Sequence, residues 1–340
     1  MQLSAQTLDR ANMEAAEHVL LTGAGFTHNF GAPLATDIWS LVLAHPNFRE
    51  FPLIRSLLLT DFDYESAYHS VMSGDKYSAP EKDAMRSAVA SAYEYVDEAV
   101  RSWIFRADAP YPVNIYGLWR FLDRFAGNRA RPGFFFSLNQ DLFIERHCAS
   151  DGPVRWLPGL ERAARITVDP RGTLANSDRI VLPTQPPPMA ESIRGQSLLY
   201  VKLHGSSNWQ ASDGTQRMVI GRGKAQQISQ EPLLAAYRDL FENVLSSGTK
   251  RLLITGYGFR DEHVNAAISK AVGQGRLQVF ILSPQPPESL KALLATVPHG
   301  TTIWEGLRAY FPHTLLELFP PNQEETPAWR LLSRIYFQGE

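Results

Sequence analysis

The sequence predicts an α/β protein built on a mostly parallel sheet, and three stretches carry that prediction. Val19-Leu20-Leu21-Thr22 is an apolar run ending in Gly23-Ala24-Gly25. Phe134-Phe135-Phe136 runs on to Asn139-Gln140-Asp141, and Leu252-Leu253-Ile254-Thr255 to Gly256-Tyr257-Gly258-Phe259. Each is a short, non-alternating apolar segment, the pattern of a strand buried on both faces, and each is followed by a small or polar turn and a helical pattern. Repeated strand–turn–helix units joined by right-handed crossovers bring the strand ends to one edge of one sheet.

The first of these turns is the most informative. Glycines between a strand and a helix let the backbone turn tightly and gather N–H groups where a phosphate can sit. The full G-x-G-x-x-G pattern is absent, so a nucleotide seat and plain turn chemistry are both open on this stretch alone. After it, Pro33 to Leu43 reads as a helix, with Ile38, Trp39, Val42 and Leu43 on one face. From about Leu53 to Arg131 helical signals dominate. Lys82 to Arg106 places Met85, Val89, Tyr93, Val96, Val100, Trp103 and Ile104 on one stripe, and Asn114 to Phe125 repeats the pattern. A helical insertion over about 45–131 follows.

Asn139, Gln140 and Asp141 end the second strand. In open α/β sheets ligands bind outside the carboxyl ends of the strands, so these side chains stand where chemistry is expected; a helix N-cap is the competing reading. Residues of an insertion at about 151–197 read as irregular, with Arg179 to Leu182 a short strand. Leu198 to Leu203 is a further strand, followed at once by His204-Gly205, and a histidine there has a side chain that titrates near neutrality. Met218 to Lys224 resembles a P-loop only superficially. Met218 replaces the first glycine and Ala225 the magnesium-binding hydroxyl, so it reads as strand and loop. Glu231 to Leu245 and Glu262 to Val272 are helices, the latter with Asp261 as its N-cap. Leu277 to Leu282 is a strand ending at Ser283, Ile303-Trp304 a last short one, and 321–340 a tail. The fold class is therefore α/β, Rossmann-like and doubly wound, with a helical insertion.

The composition narrows the function. The chain has 340 residues, 33 Lys plus Arg against 35 Asp plus Glu, a net charge of −2 and one cysteine. That balance gives no basic face for nucleic acid, and one cysteine excludes disulfide frameworks and multi-cysteine zinc modules. No run has the length of a membrane span, and the expectation is a cytoplasmic protein. Cys148 reads as a small buried hydrophobe. His28 and His263 read as loop or cap residues, and Trp39, Trp103 and Trp119 as core.

Taken in order, the motifs resemble the sirtuin superfamily of NAD-consuming proteins. Gly23-Ala24-Gly25-Phe26-Thr27 with Gly31 and Pro33, Ser137-Leu138-Asn139-Gln140-Asp141, His204-Gly205 and Gly256-Tyr257 follow that family's sequence of motifs. The chain departs from the deacylases: Leu34-Ala35-Thr36 replaces Asp-Phe-Arg, and the four zinc cysteines are absent. Lys202 to Ser206 and Gly256 to Asn265 look instead like bacterial sirtuin-like effectors that hydrolyse NAD, often in antiphage defence.

The resemblance implies a sirtuin-like NAD-binding domain over 1–320 and an NAD glycohydrolase releasing nicotinamide and ADP-ribose, with NAD as substrate and no metal. Asn139 and His204 would be catalytic. Gly23, Ala24, Gly25, Phe26, Thr27, Asn139, Asp141, Gly256, Tyr257 and Ser283 would hold NAD. An NAD-dependent protein deacylase and a non-cleaving NAD or ADP-ribose sensor are the alternatives. A homo-oligomer is expected, with an accessory ATPase of the HerA type or an Argonaute-type partner, and with neither direct nucleic-acid nor membrane binding.

Overall fold

The computed structural model describes residues 15–102, 113–149, 153–154, 157–160, 178–322 and 325–340. Its centre is a six-stranded sheet formed by β1 (His18–Thr22), β2 (Gly133–Ser137), β4 (Leu198–Lys202), β7 (Lys250–Thr255), β8 (Leu277–Leu282) and β9 (Leu307–Phe311). The spatial order is β4-β2-β1-β7-β8-β9 and every pairing is parallel. Counted in chain order these six strands lie 3-2-1-4-5-6, the doubly wound Rossmann arrangement. The order reverses between β1 and β7, and the crevice at that reversal is where ligands of such sheets bind. A second sheet of β3 (Ile180–Val181), β5 (Gly205–Gln210) and β6 (Gln216–Met218) flanks β4.

The strands explain themselves by burial. Phe134, Phe135 and Phe136 are all fully buried. Such side chains each stabilise the fold by about 1.5–3 kcal/mol through removal from water. The register sets Leu21 opposite Phe136 on one side and Ile254 on the other, which levels the carboxyl ends of β2, β1 and β7.

Between β1 and β2 the chain is helical where described, and its helices bury a core of their own that includes Val42, Ile54, Leu58, Val71, Met85 and Val89. The long helix there runs Ala79–Ser102; Trp103 and Ile104, expected on its stripe, lie outside the described residues. The expected stripe otherwise packs inward, with Val96 and Val100 buried. This helical layer meets the sheet's carboxyl edge through polar contacts. Arg146 makes a bidentate pair with Asp97 at 2.7 and 2.8 Å, and the Tyr93 hydroxyl donates to Gln140 Oε1.

Two expectations change at the C-terminal end. Ile303-Trp304 is not a strand: both residues lie in the helix Gly300–Glu305, and the last strand is β9, formed by the following Leu307–Phe311. A two-residue apolar run has no period to separate helix from strand. The stretch 321–340 includes the helices Pro327–Leu332 and Ser333–Gln338, and it is anchored to the sheet. Tyr336 is fully buried, its hydroxyl shared between the carbonyls of Val19 and Arg251 at 3.0 and 2.8 Å.

Candidate active site

The glycine turns of β1 and β7 meet at the point where strand order reverses. Gly23 N–H donates to Thr255 O at 3.0 Å, Gly25 N–H to Gly256 O at 2.9 Å, and Phe26 N–H to Gly23 O at 2.8 Å. The contact admits no side chain: a Cβ on Gly23 would lie 2.6 Å from Gly256 O, and one on Gly256 2.0 Å from Phe26 N. Gly256 also sits at φ +67°, a left-handed conformation open to glycine. These glycines are thus demanded by backbone packing as well as by any ligand. A five-residue helix, Ala24–His28, follows the turn. Phe26 is fully buried against Phe30 and Phe135, so of the residues expected at the turn it has its side chain in the core.

Thr27 faces the other way and ties the turn to β2. Its hydroxyl donates to Asp141 Oδ2 at 3.0 Å and receives Asn139 Nδ2 at 3.2 Å. Asn139 is 7% exposed, and its Oδ1 finds no hydrogen-bond partner among the described residues. A buried amide oxygen left unsatisfied costs about 1–3 kcal/mol, so a group retained in that state is one that a ligand can complete. Asp141 also receives Phe143 N–H at 3.0 Å in a local turn, one residue ahead of Leu142, the N-cap of the helix Phe143–His147, which carries no side-chain cap bond. Burial raises the Asp141 carboxyl above the usual range, against the pull of Lys202 and its hydrogen bonds.

Beneath this trio lies an ionic support that the sequence reading did not single out. Lys202, the last residue of β4, is fully buried and bonds Asp141 O at 2.6 Å, Glu145 Oε1 at 2.7 Å and Ser206 Oγ at 2.7 Å. A single ammonium thereby fixes the Asp141 turn to the strand carrying His204. Gln140 does the same from above. Its Nε2 donates to Val219 O at 2.7 Å and to His204 O at 3.3 Å, while its Oε1 takes the Tyr93 hydroxyl. Lysine in a strand reads as edge or surface, so the sequence marks Lys202 only as the first residue of the Lys202–Ser206 motif, with no role of its own.

His204 is buried at the turn between β4 and β5. Gly205 follows at φ +76°, where a Cβ would stand 2.5 Å from Arg217 O, so the turn requires glycine directly after His204. Desolvation pushes the imidazole down to about 3, with the Asp261 carboxylate opposing the shift, so the ring is neutral at physiological pH. Its Nε2 lies 3.1 Å from Nε2 of His263 and 4.0 Å from Asp261 Oδ1. His263 is therefore a contact of the catalytic candidate, beyond the cap role expected of it. Asp261 precedes the helix Glu262–Gly273 as expected but makes no side-chain cap bond. The Tyr257 hydroxyl receives Asp261 N–H at 3.2 Å and lies 2.9 Å from Asn265 Oδ1, leaving Asp261 free to pair with Lys224 at 2.9 Å.

Ser283 ends β8 on the same edge, its Oγ receiving Gln285 N–H at 3.3 Å in a tight turn. The structure thus gathers Thr27, Asn139 and Asp141 into direct contact and joins the Gly23 and Gly256 turns. His204 is linked to the trio through Gln140 and Lys202, and Ser283 stands beyond β7. Cys148 is buried and its thiol is pushed up by desolvation, in keeping with a packing role. Among the described residues no group of three His, Cys, Asp or Glu is placed to hold a metal ion, and no helix is long and apolar enough to cross a membrane.

One family model matches part of the chain. Residues 134–299 match the family model of the SIR2-like domain, a stretch that contains Asn139, Asp141, His204, Gly256, Tyr257 and Ser283 and leaves out the Gly23–Thr27 turn. No curated protein matches the chain.

Proposed function

We propose that this chain, whose SIR2-like segment points in general to NAD-dependent activity, is an NAD glycohydrolase that transfers the ADP-ribosyl group to water. The observation that carries the reading is the buried Asn139 amide with an unpartnered oxygen, bonded through Thr27 to Asp141 at the strand-order reversal. A nucleotide lying across the Gly23 and Gly256 turns presents its nicotinamide riboside to that group. Cleavage breaks the ribosyl–nicotinamide C–N bond, and the electron pair leaves with nicotinamide, which becomes neutral. The ribose acquires oxocarbenium character, as in glycoside hydrolysis. Asp141 engages the carboxamide, Asn139 positions the water that attacks the ribosyl carbon, and neutral His204 takes up the proton released. General-base help of that kind contributes about 10²–10⁴-fold.

Two features support water as the acceptor over a protein substrate. The single cysteine leaves no four-cysteine zinc module to shape a peptide surface, and the motif wording around His204 and Gly256 is that of NAD-hydrolysing effectors. An enzyme that destroys NAD must be silent until triggered, which favours a regulated antiphage effector acting as a homo-oligomer with an accessory partner.

The test is nicotinamide release from NAD by the pure protein, followed by chromatography with and without an acyl-lysine peptide. Release from NAD alone, lost in Asn139→Ala and His204→Ala, is the expected result. Release only with the peptide identifies a deacylase. Equal release from wild type and His204→Ala overturns the assignment, and tight NAD binding without turnover identifies a sensor.

A further inference from the structure

The loop Gly256–Asp261 is held with unusual care for a connection between strand and helix. Phe259 is buried at φ +56°, a left-handed conformation that costs an L-residue about 1–2 kcal/mol. Such a residue persists only where its surroundings over-determine it, and these do. Fully buried Asn265 donates to Phe259 O at 2.8 Å, the Tyr257 hydroxyl is set against Asp261 N–H and Asn265 Oδ1, and the Tyr257 and Phe259 rings pack 4.7 Å apart. These contacts fix the backbone that carries Asp261.

That carboxylate lies between two partners. On one side is His204 with its neighbour His263. On the other is Lys224, the first residue of the helix Lys224–Gln230, which bridges Asp261 at 2.9 Å and Glu65 at 2.7 Å. Glu65 belongs to the helix Tyr64–Ser73 of the helical layer. A short ionic chain therefore runs from the helical layer to the histidine that ends β4. We propose that Asp261 is a positioning residue for His204, set in place by the Gly256–Asp261 loop and partly neutralised by the Lys224–Glu65 pair; this rests on the reading of His204 as the base of the NAD-cleaving site.

The charges that face His204 act in opposite senses. Asp261 favours its protonated form, whereas Lys224 and His263 disfavour it. Around His263, Asp261 and Glu262 oppose Lys224 and Arg238. Burial works to raise the Asp261 carboxyl, yet His204 and Lys224 hold it below its usual range, so it is ionised. In the Nε2–Nε2 contact one imidazole must donate and the other accept, and a fixed carboxylate beside the pair selects which. Lys224 neutralises part of that carboxylate's field. Sequence gave no sign of this: Asp261 has the ordinary appearance of a helix cap, and Glu65 and Lys224 are far apart in the chain.

The experiment uses the full chain with histidine side chains labelled with 15N. Asp261→Asn is expected to lower kcat for nicotinamide release on the order of 10²-fold with KM little changed, and Asp261→Glu to restore part of it. The double variant Glu65→Gln with Lys224→Met removes the cation and its counter-charge together, leaving Asp261 alone with His204. The His204 imidazole then titrates at higher pH than in wild type yet still below the 6.5 of an unfolded chain, and an unchanged urea midpoint separates that shift from a loss of structure, which would carry the titration all the way to 6.5. That titration needs no NAD, so it stands even where no nicotinamide is released and the hydrolysis reading fails. Wild-type kcat in Asp261→Asn, or an unmoved His204 titration in the double variant, overturns the proposal.

Discussion

The carboxyl edge of the sheet has two halves built on different principles. Between β1 and β7 the contacts are backbone to backbone, and Gly23, Gly25 and Gly256 approach so closely that a methyl group has no room. Between β2 and β4 the contacts run through side chains: Thr27, Asn139, Asp141, Lys202 and Glu145 form a buried polar lattice, and Gln140 ties the backbone of buried His204 to it. The first half is a seat: it fixes shape and offers no titratable group. The second half, under the proposed function, is a reacting surface, in which an unpartnered oxygen and a neutral imidazole are held at a cost in stability. On that proposal one edge separates holding a nucleotide from breaking it.

Substitutions break that comparison in graded ways. The largest effect is expected at Gly256→Ala, where a methyl meets Phe26 N at 2.0 Å and the backbone must keep φ +67°. Strain and overpacking together should remove roughly 2–6 kcal/mol of stability, read from urea unfolding. Lys202→Met comes next. It leaves the fully buried Glu145 carboxylate without its cation, a loss of about 3–5 kcal/mol. Adding Glu145→Gln should recover most of that loss, because the unpaired charge is the penalty.

The third effect is one of pH. Unfolded, the His204 imidazole protonates near 6.5; folded, it stays neutral down to about 3. Its contribution to stability is therefore complete above 6.5 and is lost as pH falls through that window. Burial raises Glu65, Asp141 and Glu145 in the native state, so they oppose this trend: they bind protons more readily when folded and favour it as pH falls. Comparing His204→Gln with wild type isolates the histidine. The variant should lose about 2 kcal/mol of the pH dependence between about pH 7 and about pH 5. The smallest change in stability is expected at Asn139→Ala. Losing the bond to Thr27 is offset by removing an unsatisfied oxygen, for a net change within about 1 kcal/mol by thermal or urea melts.

The same division decides what could be read from sequence. The strands and glycine turns were legible because each is written locally: an apolar run, a glycine, a helical period. Asn139, Asp141 and His204 were legible as polar residues at strand ends and through their order along the chain. Lys202 and Glu145 were not, since a buried pair is defined by a contact across 57 residues. His263 and Asp261 were visible as cap-like residues inside the Gly256–Asn265 stretch, but nothing local shows that the Asp261 side chain makes no cap bond and pairs with Lys224. Phe26 sits inside a recognisable motif, yet its side chain answers to the core.

The division between seat and reacting surface is most directly tested by measuring NAD binding and nicotinamide release together in Asn139→Ala. The account predicts a folded protein that binds NAD with an affinity close to wild type, by calorimetry, and releases nicotinamide at least about 10²-fold more slowly. Release at the wild-type rate would contradict it.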